Sequence, residues 1–192
     1  MTYVYVSSYP FEVASEEIVP TARQDEINSV KNDVHKQQKY YAWKLLEKAV
    51  FEKYGKNMDE LSFSLCKNGK WECDEFYFSL SHTKNIVAVV LSEYTCGIDV
   101  EFFSPERFGE KLAKKILTET ELSEYSNINE GEKQVYTLCK WTQKESIFKM
   151  LSKDAFIPKS IETSEHFTKF SLLHGCGVCC SLEREDEIEY IT

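Results

Sequence analysis

An α+β fold follows from three features of the sequence. Between Asp33 and Tyr54, apolar residues recur at three- and four-residue steps (Tyr40, Trp43, Leu46, Ala49, Val50), and Gly55 stands where a helix C-cap would. The β-rich runs Phe76 to Leu80 and Ile86 to Leu91 flank the polar stretch Ser81 to Asn85, which predicts a hairpin. A second helical stripe, Val135, Leu138, Cys139, Thr142, Ile147 and Met150, predicts a helix over Glu132 to Leu151.

The remaining elements fall around these. Val4 and Val6 alternate with Tyr3, Tyr5 and Ser7, an opening strand closed by Tyr9-Pro10. A third central strand spans Thr95 to Phe103 after Ser92-Glu-Tyr94. Ser104 as N-cap and Pro105 at the first helical position predict a helix to about Leu122, with Phe108, Leu112 and Ile116 beside the basic run Lys111, Lys114 and Lys115. Short strands are expected over Phe167 to Leu173 and Val178 to Leu182. Each half thus has a long helix and strands, with a seam near residue 93, giving halves 1–92 and 93–192; no sequence repeat links them.

Composition narrows the function classes. The chain has 192 residues, 42% of them hydrophobic, enough to bury one or two cores unaided. With 32 acidic against 23 basic residues, its charge of −9 argues against nucleic acid as the main ligand. An anionic small molecule still fits if a metal or a local lysine cluster reverses the field. The N-terminus lacks the basic flank and apolar core of a signal peptide, and no apolar stretch is long enough to span a bilayer, so the expectation is a cytoplasmic protein with no membrane partner. Seven scattered cysteines agree with that compartment. Cys176-x-x-Cys179 has no second pair to complete a metal site, so buried thiols are expected there.

Three short motifs could carry chemistry. In Gly97-Ile-Asp-Val-Glu101, strand alternation puts Asp99 and Glu101 on one face and Ile98 and Val100 on the other. Paired carboxylates suit Mg2+, though an ordinary solvated strand face would look the same. In Trp141-Thr-Gln-Lys-Glu-Ser-Ile-Phe-Lys149, helical geometry stacks Glu145 and Lys149, with Lys144 about 100° away. An exposed ion pair is the plain alternative. In Phe78-Ser-Leu-Ser-His82, a strand ends on a serine and a histidine able to bond phosphate oxygens.

In this order and at this spacing the three motifs resemble those of the Sfp-type 4'-phosphopantetheinyl transferases, in the holo-acyl-carrier-protein synthase superfamily, and the likeness runs from about Lys39 to Val178. The resemblance implies a pseudo-dimer of two α+β halves with the active site in the cleft between them. It implies Mg2+ (or Mn2+) on Asp99, Glu101 and Glu145, and coenzyme A contacted by Lys39, Lys70, Ser81, His82, Lys144 and Lys149. Lys70 stands in Asn68-Gly-Lys70 like the basic residue of the family's Gly-Lys-Pro turn, although Trp71 follows it, and Lys39 falls where an arginine is usual.

The activity so implied is transfer of phosphopantetheine from coenzyme A to a serine of an apo acyl, peptidyl or aryl carrier protein, with 3',5'-ADP leaving. Asp99, Glu145 and Lys149 would be catalytic, and Glu145 would serve as ligand and as base or base-orienter. A monomer is implied, and the Lys111, Lys114 and Lys115 helix with Phe108, Leu112 and Leu117 reads either as a docking surface for an acidic carrier or as an ordinary solvated helix face. Two other classes use the same residues: a Mg2+-dependent phosphohydrolase, and a noncatalytic module that binds coenzyme A or a carrier protein.

Overall fold

The computed structural model describes residues 1–67 and 69–192. The element order is β1 (Thr2–Ser8), α1 (Thr21–Ser29), α2 (Asp33–Tyr54), β2 (Phe63–Leu65), β3 (Trp71–Cys73), β4 (Tyr77–Thr83), β5 (Ile86–Ser92), β6 (Cys96–Phe102), α3 (Glu110–Ile116), α4 (Glu119–Ser126), α5 (Lys133–Leu151), β7 (Phe167–Leu173), β8 (Cys176–Leu182) and β9 (Ile188–Ile191). Mixed helix and sheet make it α+β, as the sequence predicts.

Two sheets organise the chain. One has the order β4-β5-β1-β9 and the other β6-β8-β7, while β2 and β3 form a separate hairpin. All pairings are antiparallel except β1 with β9, which are parallel with Thr2 opposite Ile188. The sheets pack against each other through Val4, Val6, Ala88 and Val90 on one side and Ile98, Val100, Val178 and Cys180 on the other. On its other face the first sheet buries Val87, Val89 and Leu91 under Trp43, Leu46, Ala49 and Val50 of α2. The second sheet is covered by α5, which contacts β6 and β8. Because both faces of each sheet are covered, the central strands β5 and β8 are buried at every position. Each fully buried aliphatic or aromatic side chain in these layers contributes about 1.5–3 kcal/mol.

Helix α2 begins where Asn32 accepts a hydrogen bond from the His35 backbone N–H, and it ends at Gly55, which takes a left-handed conformation (φ 66°). The approach of α5 to β6 depends on Gly97. A Cβ there would lie 2.0 Å from the Ser146 carbonyl oxygen and 2.6 Å from the Met150 nitrogen, both backbone atoms that cannot step aside. Gly97→Ala is therefore expected to cost about 3 kcal/mol of stability, measured as a lowered urea midpoint at unchanged m-value.

The structure departs from sequence expectation in several places. The single helix expected from Pro105 to Leu122 is two: α3 ends at Leu117, whose backbone turns extended, and Thr118 caps α4 in a reciprocal capping box with Glu121. Strand β4 runs on through Ser81 and His82, and the hairpin turns at Lys84 (φ 44°) and Asn85. Helix α1 and strands β2, β3 and β9 are additional. Asn68, which opens the Asn68-Gly-Lys70 turn, lies outside the described residues.

Candidate active site

Strand alternation divides β6 cleanly. Ile98 and Val100 enter the core between the sheets, whereas Gly97, Asp99 and Glu101 look toward α5. Gly97 lets the helix come close enough for Lys149 to reach the strand: its Nζ donates to Asp99 Oδ1 at 2.8 Å, to Ser81 Oγ at 3.0 Å and to the Ile98 carbonyl at 3.0 Å. Ser81 Oγ in turn lies 3.0 Å from Asp99 Oδ1 and accepts from the Val100 backbone N–H at 3.2 Å. One serine thus fastens β4 to β6 beside the buried carboxylate.

Charge around these residues is unbalanced. Asp99 is buried, and its Oδ2 has no hydrogen-bond partner. Glu145, one helical turn before Lys149, is pushed up to about 7 by its own burial and by the negative charge of Asp99, with Lys149 opposing and Glu101 adding to the rise. Ionised together, Asp99 and Glu145 would set two negative charges against the one ammonium of Lys149, which together with burial is why Glu145 holds its proton. An orphaned buried carboxylate oxygen and a second carboxylate beside it could serve as donors to a hard divalent cation, which takes one or two protein carboxylates and fills its shell from other oxygen ligands.

Glu101, on the same face of β6, already has partners. Its two oxygens each accept from Arg107, at 2.6 Å, and Oε1 also accepts from Trp141 Nε1 at 3.0 Å. Among the described residues, no three His, Cys, Asp or Glu side chains stand close enough together to hold a metal ion. Glu101 is engaged by the bidentate fork of Arg107, although its charge still acts on Glu145, so Asp99 and Glu145 are the two of the expected three carboxylates that lack such a partner.

Beside this cluster opens a cavity of about 310 Å3 lined by Arg23, Glu26, Lys39, Lys70, Trp71, His82, Lys149 and Lys153, among others. Among the described lining residues, five basic side chains, Arg23, Lys39, Lys70, Lys149 and Lys153, face one carboxylate, Glu26. The local field is thus positive within a chain of net charge −9. Lys70 Nζ sits 3.4 Å from the Lys149 carbonyl and 3.3 Å from Ser152 Oγ, against the C-terminal end of α5, where the helix dipole favours a cation. Desolvation and the charges of Lys149, His35 and Lys39 push the His82 imidazole down to about 4, although the residue reaches solvent. It is a neutral hydrogen-bonding group at pH 7 until an anion enters beside it.

Lys39, Lys70, His82 and Lys149 therefore share one cavity, and Asp99, Glu145 and Lys149 share one cluster. Ser81 and His82 are separated by strand alternation, His82 toward the cavity and Ser81 toward Asp99. Lys144 differs altogether from expectation. It is fully buried, paired with Glu121 Oε2 at 2.8 Å and donating to the Pro158 and Ile161 carbonyls. One helical position separates it from Glu145, and those 100° turn it from the cavity into the packing of α5 against α4. Phe108 and Leu117, expected on a docking surface, are also buried, which leaves Lys111, Lys114 and Lys115 exposed without them. Cys176, Cys179 and Cys180 are buried free thiols of β8, and burial pushes Cys176 up to about 11.

Sequence reasoning missed Arg23, Glu26, Trp71 and Lys153. Arg23 and Glu26 lie three apart on α1, a segment whose only large apolar residue is Ile27, and no periodicity marks it. Trp71 follows Lys70 in the sequence, but its role shows only in its hydrogen bond to Glu26, at 2.8 Å.

Comparison with known proteins agrees with this geometry. The chain is 24% identical over 140 residues to the 4'-phosphopantetheinyl transferase ffp of Bacillus subtilis, a match covering 65% of this chain and 62% of that protein. It is 28% identical over 95 residues to the holo-[acyl-carrier-protein] synthase of Mycoplasmoides gallisepticum, covering 46% of this chain and 77% of that one. The chain thus spans less than two thirds of the Bacillus relative. Among the described residues, no helix is long and apolar enough to cross a membrane. Residues 95–187, which include Asp99, Glu101, Glu145 and Lys149, match the family model of the 4'-phosphopantetheinyl transferase superfamily.

Proposed function

We propose that this protein transfers the 4'-phosphopantetheinyl group of coenzyme A to a serine of an apo carrier protein and releases 3',5'-ADP. The observation that carries this reading is Lys149, which lines the cationic cavity while its ammonium touches Asp99. One residue joins a polyanion site to a carboxylate cluster, the juxtaposition that a pyrophosphate transfer needs. In this reading the chain is two α+β halves, 1–92 and 93–192, with the reaction between them, and β9 of the second crosses back to pair with β1 of the first. Its support is that each sheet carries one long helix on the face away from the other.

Asp99 and Glu145 would hold the Mg2+, and Glu101 could join them only by giving up Arg107. When bound, the ion supplies charge neutralisation at the pyrophosphate. Lys39, Lys70, His82 and Lys149 bind the phosphates from the cavity side and fix the β-phosphorus in position. The carrier serine oxygen forms a bond to that phosphorus, the bond from phosphorus to the 3',5'-ADP oxygen breaks, and the serine proton passes to the Glu145 carboxylate. In the metal-free site burial and Asp99 push this carboxylate up to about 7, and a cation bound to it would lower its basicity. Exposed Lys111, Lys114 and Lys115 supply the basic patch that an acidic acyl, peptidyl or aryl carrier would meet in a monomeric, cytoplasmic enzyme.

Intact-mass spectrometry of several apo carrier proteins, incubated with the protein, coenzyme A and Mg2+, tests the reading. The expected result is a gain of one phosphopantetheine group on one of the carriers, with no loss of coenzyme A when carrier is left out. Consumption of coenzyme A without a carrier would make the protein a phosphohydrolase instead, and binding without any mass gain would make it a noncatalytic module.

A further inference from the structure

Among the described residues lining the cavity, Glu26 is the one acid, and its position is unusual. Glu26 Oε2 accepts from Arg23 Nη1 at 2.5 Å and from Trp71 Nε1 at 2.8 Å, and Oε1 accepts from Lys39 Nζ at 2.6 Å. A guanidinium, an ammonium and an indole N–H converging on two oxygens form the donor set that would receive a terminal phosphate. Burial opposes ionisation of Glu26, yet hydrogen bonds from Lys39 and Trp71 and the charge of Arg23 hold it down to about 2, so it stays anionic.

Arg23 explains why an acid belongs there. The residue is only 5% exposed, packs its guanidinium over the Trp43 ring, and leaves its buried Nε without a hydrogen-bond partner. A desolvated cation of this kind needs a counter-ion at all times. Glu26 is itself more accessible, with 28% of its side chain exposed toward the cavity, so it can move when another anion arrives.

We propose that Glu26 is a built-in counter-anion occupying the phosphate position of the cavity, and that a phosphate-bearing nucleotide displaces it from Lys39 and Trp71. This rests on the transferase reading, which supplies coenzyme A and 3',5'-ADP as the ligands. Exchange of one anion for another keeps Arg23 neutralised throughout. It also weakens net binding of the nucleotide, which favours release of 3',5'-ADP after transfer.

Calorimetric titration of 3',5'-ADP into the unmodified protein and into Glu26→Gln tests the proposal. With the competing charge removed and the shape kept, Glu26→Gln is expected to bind 3',5'-ADP about tenfold more tightly. Its unliganded melting temperature should fall, because Arg23 lacks a counter-ion, and its ligand-induced rise should exceed that of the unmodified protein. Equal or weaker binding by Glu26→Gln would overturn the proposal, making Glu26 a support that orients Arg23 and Lys39. If the unmodified protein binds neither coenzyme A nor 3',5'-ADP, the transferase reading itself is lost, and the inference with it.

A second measurement needs no change at Glu26. The indole N–H resonance of Trp71 in 15N-labelled protein, assigned by its absence in Trp71→Phe, should shift with 3',5'-ADP and stay in place with adenosine. A Trp71 signal unmoved at saturating 3',5'-ADP would show Glu26 still in position and refute the displacement.

Discussion

Glu145→Gln should eliminate transfer and, in the same protein, raise the stability of the metal-free form above neutral pH. The carboxylate is pushed from 4.5 to about 7 by burial and by Asp99. A raised carboxyl pKa means that the folded state binds a proton the unfolded chain has already released. Stability therefore falls as pH rises from about 4.5 to 7, and the loss persists above that window. Glutamine keeps the volume and removes the charge, so it relieves a penalty of about 1–3 kcal/mol at pH 8. Below pH 4.5, where both states carry the proton, the two proteins should be equally stable. Thermal melts at pH 4 and pH 8 in chelator, beside the mass assay, give the readout. A Glu145→Gln protein that transfers normally, or one whose advantage is the same at both pH values, would contradict the role given to this carboxylate.

The second large effect concerns the neighbouring lysine and runs the opposite way. Lys144→Ala removes a cation whose partner Glu121 is 1% exposed, and it strips a donor from the Pro158 and Ile161 carbonyls. Glu121 also accepts from Thr163 and the Thr118 backbone, so it cannot leave for solvent without undoing the cap of α4. Breaking one member of such a pair costs about 3–5 kcal/mol. Urea unfolding should show this loss, while activity per folded molecule at low temperature stays near that of the unmodified protein. Lys149→Ala should instead lose most of the transfer per folded molecule, because Lys149 faces the cavity, and it too should lower stability by leaving the buried Asp99 without its cation. If Lys144→Ala instead folded normally and lost transfer, its place would be at the phosphates after all.

The contrast between Lys144 and Lys149 shows what a sequence can reveal of a site. Periodicity placed both on the same helix and located the three carboxylates on the right strand and helix, since β6 and α5 have strong local patterns. It could not assign sides, because 100° of helical rotation decides whether an ammonium meets solvent or protein, and that depends on where α4 lies. The break at Thr118 that positions α4 is itself a capping box, Thr118 with Glu121, readable in principle yet overridden by the helical run on either side. Arg107 was invisible as the partner of Glu101 because the pairing crosses from a strand to a loop. Arg23 and Glu26 were hidden for a different reason: α1 has little apolar character and is held by tertiary contacts such as the packing of Arg23 on Trp43.

Strand β9, the parallel neighbour of β1, couples a strand made early to one made much later. While the nascent polypeptide emerges, β1 can pair with β5 early, but its other edge stays open until residues 188–191 leave the ribosome. An unpaired edge during that interval is a site for mispairing between growing chains, so soluble yield should depend on how quickly elongation reaches the closing strand.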